Sequence, residues 1–163
     1  MKIRIAGLVQ DSIVDGPGLR LTVFFQGCKH NCKGCHNPET HAMDGGYDID
    51  IDEIVEMARS NPLLSGVTLS GGEPLLQLEG AIELARKINE LGLNVICYSG
   101  YTWEYLISED RYRELLGLLK YLIDGKFILE KRSLMLNFRG SENQRIINVK
   151  KSLEENAVIE EEL

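Results

Sequence analysis

The sequence predicts an α/β fold of strand–helix repeats, and three observations carry that expectation. Short apolar runs rich in β-branched and aromatic residues recur along the chain. Amphipathic helical patterns fall between them. From residue 66 onward successive runs begin about 25–28 residues apart, which suits a strand, a helix and two turns. In chain order, residues 3–9 and 21–26 read as strands, the second as Leu-Thr-Val-Phe-Phe-Gln. Over residues 51–60, Ile51, Ile54, Val55 and Ala58 share one helical face. Asp50 with Glu53 three residues on forms a capping-box pattern, and Asn61-Pro62 supplies the stop. Residues 66–70 are the third strand. Residues 77–91 form the strongest helix, with Leu78, Ala81, Ile82, Ala85, Ile88 and Leu91 in one stripe and Gly92 beyond its end. A fourth strand covers 94–99, a short helix starts at Thr102 and another covers 111–119. Strands at 121–124 and 145–149 follow, and the tail after Lys150 reads as a frayed helix or a loose end.

At 163 residues the chain is expected to be one domain, burying roughly 69% of its unfolded surface without help from disulfides. Its 18 Lys+Arg against 25 Asp+Glu give a formal charge of −7, so a nucleic-acid partner is not expected. A content of 44% hydrophobic and 26% charged residues is ordinary for a globular protein. No apolar stretch approaches the ~20 residues needed to span a bilayer, and Met1-Lys2-Ile3-Arg4-Ile5 lacks the apolar core of a signal peptide. A cytoplasmic protein without membrane contact is expected.

Three of the four cysteines fall in Cys28-Lys-His-Asn-Cys32-Lys-Gly-Cys35. Cysteines this close cannot staple distant loops, and in a reducing compartment clustered thiols are ligands or redox groups. Cys97, in the apolar run 94–98, fits a small core residue. For the trio, three readings stand side by side. A zinc site needs a fourth ligand, from His36, which is awkwardly adjacent to Cys35, or from the more distant His41. A redox pair of Cys32 and Cys35 leaves Cys28 without a task. A four-iron cluster on three thiolates leaves one iron open, as sites that bind substrate do.

Several expected strands end in small or polar groups: Gln26-Gly27 running into the cysteines, Ser70-Gly71-Gly72-Glu73-Pro74, Tyr98-Ser99-Gly100-Tyr101 and Asp124-Gly125-Lys126. In parallel strand–helix folds the carboxyl ends of the strands gather at one edge, where ligands bind. Gly71 and Gly72 would let a ligand approach the main chain closely, and Glu73 would suit an ammonium group.

The cysteine spacing, together with Gly71-Gly72-Glu73 at the next strand end, resembles the radical S-adenosylmethionine superfamily. Asp15-Gly16-Pro17-Gly18-Leu19-Arg20 and Cys35-His36-Asn37-Pro38 narrow the likeness to the glycyl-radical activating enzymes. Tyr98 to Thr102, Asp124-Gly125-Lys126-Phe127 and Arg139-Gly140-Ser141-x-Asn143-Gln144-Arg145 are similar to the branch serving the anaerobic ribonucleoside-triphosphate reductase. The likeness covers about residues 10–149 and leaves 150–163 as a tail.

The resemblance implies a partial, laterally open (β/α)6 barrel as a single radical-SAM domain, open on one side to a partner. It implies a [4Fe-4S] cluster on Cys28, Cys32 and Cys35, with S-adenosyl-L-methionine held at its open iron. Gly71, Gly72 and Glu73 would meet the amino group of that cofactor, Ser99 and Asp124 would lock it, and Gly34 and His36 would lie near the adenine. One-electron cleavage of the sulfonium would yield a 5′-deoxyadenosyl radical that takes hydrogen from a glycine of the reductase. An external one-electron donor such as flavodoxin or ferredoxin is implied, and no side-chain general base is called for.

An activase of pyruvate formate-lyase is the alternative within the class; a non-catalytic zinc or iron–sulfur module is the alternative outside it. Gly34 stands where many superfamily members carry an aromatic residue, so adenine would rest on main chain or on His36. Asp15-Gly16-Pro17-Gly18 reads either as a turn or as part of a partner-facing mouth. Arg139 and Arg145 read as surface groups or as binders of carboxylate or ribose oxygens, and His30 and His41 as solvent-facing.

Overall fold

The structure, a computed structural model, describes residues 1–35 and 37–163. Among them, seven strands form one sheet: β1 (Lys2–Ser12), β2 (Arg20–Phe25), β3 (Tyr47–Asp50), β4 (Gly66–Gly71), β5 (Asn94–Ser99), β6 (Tyr121–Asp124) and β7 (Arg145–Asn148). Their order is β3-β1-β2-β4-β5-β6-β7. The neighbours β2, β4, β5 and β6 run parallel, whereas β1, β3 and β7 pair antiparallel at the flanks. The sheet is therefore open and mixed, and the expected strand–helix repeat governs its four central strands.

Alternation along those strands gives the sheet two different faces. Leu21, Val23, Phe25, Val67, Leu69, Val95, Cys97 and Leu122 enter the large apolar core beneath the helices. Each aliphatic side chain fully buried there contributes about 1.5–3 kcal/mol. Cys97 is one of those core residues, as expected. The opposite face carries Thr22, Phe24, Thr68, Ser70, Ile96, Tyr98 and Ile123; Phe24, Ser70, Tyr98 and Ile123 line a large cavity.

The helices are α1 (Ile51–Arg59), α2 (Leu78–Glu90), α3 (Trp103–Ser108), α4 (Arg113–Leu116) and α5 (Val149–Glu155). Asp50 caps α1 by accepting from the Asp52 main-chain N–H at 2.9 Å. In α2 the buried stripe is Ala81, Leu84, Ala85 and Ile88, while Leu78, Ile82 and Leu91 are half-buried at its margin. Leu84 lies outside the expected stripe, so the helix is turned slightly from the face read off the sequence. Residues 111–119 are only partly helical: a 3₁₀ turn at Asp110–Tyr112 leads into the single turn of α4.

The segment after Lys150 is neither loose nor frayed. It completes α5, then folds back so that Asn148 N–H donates to Ile159 O (2.8 Å) and Glu161 N–H to Ile146 O (2.9 Å). Among the described residues no helix is long and apolar enough to cross a membrane.

Candidate active site

The cysteine loop leaves β2 at Gly27, whose φ of +104° only glycine adopts cheaply. It is tied down at both ends. Gly27 N–H donates to Thr40 O (2.6 Å) and Cys28 N–H to His41 O (3.2 Å), while Gly27 O accepts from Glu73 N–H (2.8 Å). Inside the loop Cys35 N–H donates to Cys32 O at 3.2 Å, and Asn37 N–H reaches the Cys35 sulfur at 3.4 Å. All four cysteines are free thiols. Burial pushes the Cys28 and Cys32 thiols above their ordinary range. Lys126 works the other way on Cys32, which places the start of the β6–β7 connection beside the loop.

Cys28, Cys32 and Cys35 line one cavity of about 1020 Å³ together with Gly71, Gly72 and Ser99. Of the ten candidate site residues read from the sequence, six line this cavity among the described residues. Gly71 has φ +115°, and a Cβ there would run into the Phe25 main chain; a Cβ on Gly72 would lie 2.5 Å from Gly27 O. The two glycines let β4 turn against the root of the cysteine loop. Gly34 has φ +76°, and its missing Cβ would lie 2.9 Å from Leu129, so no larger side chain fits there without moving Leu129. His36 lies outside the described residues.

The carboxylates of Glu73 and Asp124 are both engaged by protein donors. Glu73 is buried, and its carboxylate is occupied by protein donors. Oε1 accepts from His30 Nε2–H (2.7 Å), Gly100 N–H (2.7 Å) and Ser99 Oγ–H (3.0 Å); Oε2 accepts from Leu75 N–H (3.1 Å) and Ser99 Oγ–H (3.1 Å). The ends of β4 and β5 and the cysteine loop thus meet on one carboxylate. Asp124 accepts from Trp103 N–H at 2.8 Å and from Arg145 at 2.6 and 3.1 Å, so it holds the start of α3 and the start of β7. Arg145 also grips Glu104 at 2.7 Å, and the two carboxylates, Asp124 foremost, raise its already high pKa. Asp124, Glu104 and Arg145 border a second cavity of about 560 Å³, which meets the first at Gly100, Gly125 and Lys126. The Asn143 Oδ1 atom is buried beside it without a hydrogen-bond partner among the described residues.

His30 is the residue that sequence reasoning placed wrongly. Its side chain is 8% exposed, donates to Glu73, and meets the Tyr101 ring edge to face at 4.7 Å. Gly100 makes room for it, since a Cβ there would come within 2.5 Å of the imidazole. The one signal available was its position inside the cysteine spacing; its partner lies 43 residues away. His41 also lines the cavity.

The far wall comes from two connections. The segment from Ser12 to Arg20 crosses the cavity face of the sheet and is pinned by Arg20, which is fully buried. Arg20 donates to Thr68 Oγ1 (2.7 Å), Asn94 Oδ1 (2.8 Å) and Val67 O (3.0 Å), and burial lowers its pKa to about 10. Asp15 accepts from Ser12 Oγ–H (2.5 Å) and Thr22 Oγ1–H (3.1 Å) and lines the cavity, so the Asp15-Gly16-Pro17-Gly18 turn begins at the wall. On the other side, Tyr98 O–H donates to Phe138 O at 2.7 Å, and burial pushes its phenol upward.

The donor set fits an iron–sulfur group. Three soft thiols on one short loop line a space that also takes in main chain freed of side chains, and such ligands select iron–sulfur clusters or zinc. Among the described residues no three His, Cys, Asp or Glu side chains are gathered to hold a single metal ion.

Comparison with known proteins agrees with this donor set. Residues 14–147 match the family described as 4Fe-4S single cluster domain. The anaerobic ribonucleoside-triphosphate reductase-activating protein of Vibrio cholerae is 33% identical over 142 residues, 82% of this chain and 90% of that protein. Its Escherichia coli K12 counterpart is 31% identical over 140 residues, 81% and 90%. The pyruvate formate-lyase-activating enzyme of Clostridium pasteurianum is 41% identical over 104 residues, 60% of this chain and 44% of that enzyme. Among solved structures, QueE from Escherichia coli has a TM-score of 0.49 at 15% identity, covering 63% of this chain and 54% of that one.

Proposed function

The chain belongs to the family of anaerobic ribonucleoside-triphosphate reductase-activating proteins, and from that premise we propose that it installs a glycyl radical on the anaerobic ribonucleoside-triphosphate reductase. The observation that carries the reading is the convergence of Cys28, Cys32, Cys35, Gly71, Gly72 and Ser99 on one cavity. When bound there, a [4Fe-4S] cluster and S-adenosyl-L-methionine supply reductive cleavage of the sulfonium and the radical that takes hydrogen from a glycine. The chain's own residues bind, position and shield.

Cys28, Cys32 and Cys35 serve as the three thiolate ligands. Because burial favours the protonated thiols at Cys28 and Cys32, loading the site releases protons. Gly71 and Gly72 offer main chain to the amino group of the cofactor. Ser99 lines the cavity while its hydroxyl is spent on Glu73, so Glu73 and Ser99 act by fixing the turn. Asp124 acts in the same way, by holding α3 and β7 at the edge of the site. Gly34 and His36 are assigned to the adenine side.

Residues 1–163 form, on this reading, one radical-SAM domain with its core at about 10–149. Its sheet is the curled wall of a partial, laterally open barrel of the (β/α)6 kind; the division into a helix-covered face and a cavity-lined face supports that form. The protein works in the cytoplasm with a one-electron donor of the flavodoxin or ferredoxin class. The reductase is favoured over pyruvate formate-lyase as target because the reductase-activating relatives are spanned to 90% of their length, whereas 44% of the lyase-activating enzyme is matched.

The test is anaerobic reconstitution with iron and sulfide, reduction, and addition of S-adenosyl-L-methionine. 5′-Deoxyadenosine is the expected product, and a glycyl-radical resonance appears on the reductase and not on pyruvate formate-lyase. An intact cluster that yields no 5′-deoxyadenosine would overturn the reading, as would a colourless, air-stable zinc protein.

A further inference from the structure

Two exposed apolar pairs that are far apart in sequence adjoin the large cavity. Ile13 and Val14, between β1 and β2, are 72% and 71% exposed; Leu134 and Met135, between β6 and β7, are 90% and 91% exposed. Ile13, Val14 and Leu134 line the same cavity as the three thiols. Single exposed aliphatic residues need no explanation, but pairs from two connections gathered at one opening mark an interaction site.

Nor does the second pair ride on a loose loop. Gln144 Oε1 accepts from Gly140 N–H (2.8 Å) and Ser141 N–H (3.2 Å), and its amide donates to Gly125 O (3.0 Å). Ser133 N–H donates to Gly140 O, Arg132 bridges to Ser141, and Ser133 Oγ accepts from Met135 N–H (3.2 Å). Phe138, at φ +60°, turns back to pack on the cavity face with Ile96, Ile123 and Ile146. Leu134 and Met135 are held outward before anything binds, which lowers the entropy lost on docking.

The charge of this connection is opposite to that of the chain. Between residues 126 and 139, Lys126, Lys131, Arg132 and Arg139 stand against the single carboxylate of Glu130, a net of +3 in a chain of −7. Arg132 and Arg139 reach the cavity lining. An apolar centre flanked by basic groups matches a protein surface that is apolar in the middle and acidic at its margin.

Resting on the function proposed above, we infer that Ile13, Val14, Leu134 and Met135 form the docking surface for the glycine-bearing segment of the reductase, with acidic side chains of that partner facing Lys131, Arg132 and Arg139. A glycine α-hydrogen belongs to main chain, so it must be delivered by a polypeptide segment that enters the cavity. At about 1020 Å³ the cavity is at the top of the range for a single small ligand, roughly 300–1,000 Å³, which leaves room for a chain segment beside a cofactor.

The experiment compares the reconstituted wild type with Leu134→Asp and Met135→Asp. Three quantities are measured: affinity for the purified reductase at two salt concentrations, the glycyl-radical signal, and 5′-deoxyadenosine formed without reductase. Each variant is expected to bind the reductase about thirtyfold more weakly, the size of a hot-spot loss, and to lose the radical signal in proportion. Met135→Asp retains reductase-free cleavage, and wild-type binding weakens as salt rises. Wild-type affinity in both variants overturns the docking surface even when cleavage is normal. So does a rim that pairs two copies of this chain, seen as a wild-type dimer that Met135→Asp makes monomeric with reductase affinity unchanged. Failure of the wild type itself to form 5′-deoxyadenosine overturns the functional reading instead, and the affinities still decide the surface.

Discussion

Replacing His30 with alanine tests the node that joins the cysteine loop to the sheet. The substitution removes the 2.7 Å bond to Glu73 and the edge-to-face contact with Tyr101. A hydrogen bond to a charged group is worth about 1.5–3 kcal/mol. Here the lower end applies, because Ser99, Gly100 and Leu75 continue to donate to Glu73. The ring contact adds about 0.5–1.5 kcal/mol. The metal-free protein should therefore lose about 2–3 kcal/mol. For a chain of this size that corresponds to about 4–12 °C in Tm, read by circular dichroism under anaerobic, reducing conditions. Glu73→Gln paired with His30→Ala in a double-mutant cycle should show coupling of about 1 kcal/mol or more. Since His30 stands between Cys28 and Cys32, iron affinity should fall about tenfold or more, as when groups that orient metal ligands are removed. A Tm within about 1 °C of wild type, or coupling indistinguishable from zero, refutes the reasoning.

Two further substitutions separate the roles of the cysteines and the glycine turn. Cys32→Ala should abolish iron incorporation and cofactor cleavage. Cys97→Ala, in the apolar core, should keep both at a stability cost of about 1 kcal/mol; equal iron loss in the two variants would show the ligands to be misassigned. Gly71→Ala forces a side chain onto a φ of +115° and into the Phe25 main chain, and should cost about 2 kcal/mol or more. The urea midpoint reads that loss, and an unchanged midpoint would mean the turn relaxes freely.

Much of the fold was legible because its central strands are short, buried, β-rich runs with one wholly apolar face. β2, β4, β5 and β6 stand out as β-rich runs, each ending where a glycine or a polar group begins the next connection. β3 did not stand out. Tyr47-Asp48-Ile49-Asp50 alternates over only four residues, buries Ile49 alone and is held by pairing with β1, so it is too short to signal a strand by itself. Strand direction was equally invisible: β1 and β7 alternate like their neighbours, and whether they run parallel or antiparallel is settled by their connections. The site followed the same division. The cysteine spacing and the glycine pair are local and were readable. Apart from the local donor Leu75, the partners of Glu73 and Asp124 lie 21 to 43 residues away, so the occupation of both carboxylates by protein donors became visible only when the strand ends met.

The fold-back of residues 159–161 has a consequence for how the protein behaves at high concentration. By pairing with β7 it takes up main-chain groups along one border of the sheet. The opposite border, β3, carries Asp48 and Asp50, and charge on an edge strand discourages strand-to-strand stacking between molecules. With both borders blunted, the most exposed large apolar side chains, Leu134 and Met135, lie by the opening of the cavity. Ile13, Val14, Leu134 and Met135 should therefore contribute to clumping at high concentration, and occupying that opening should reduce it.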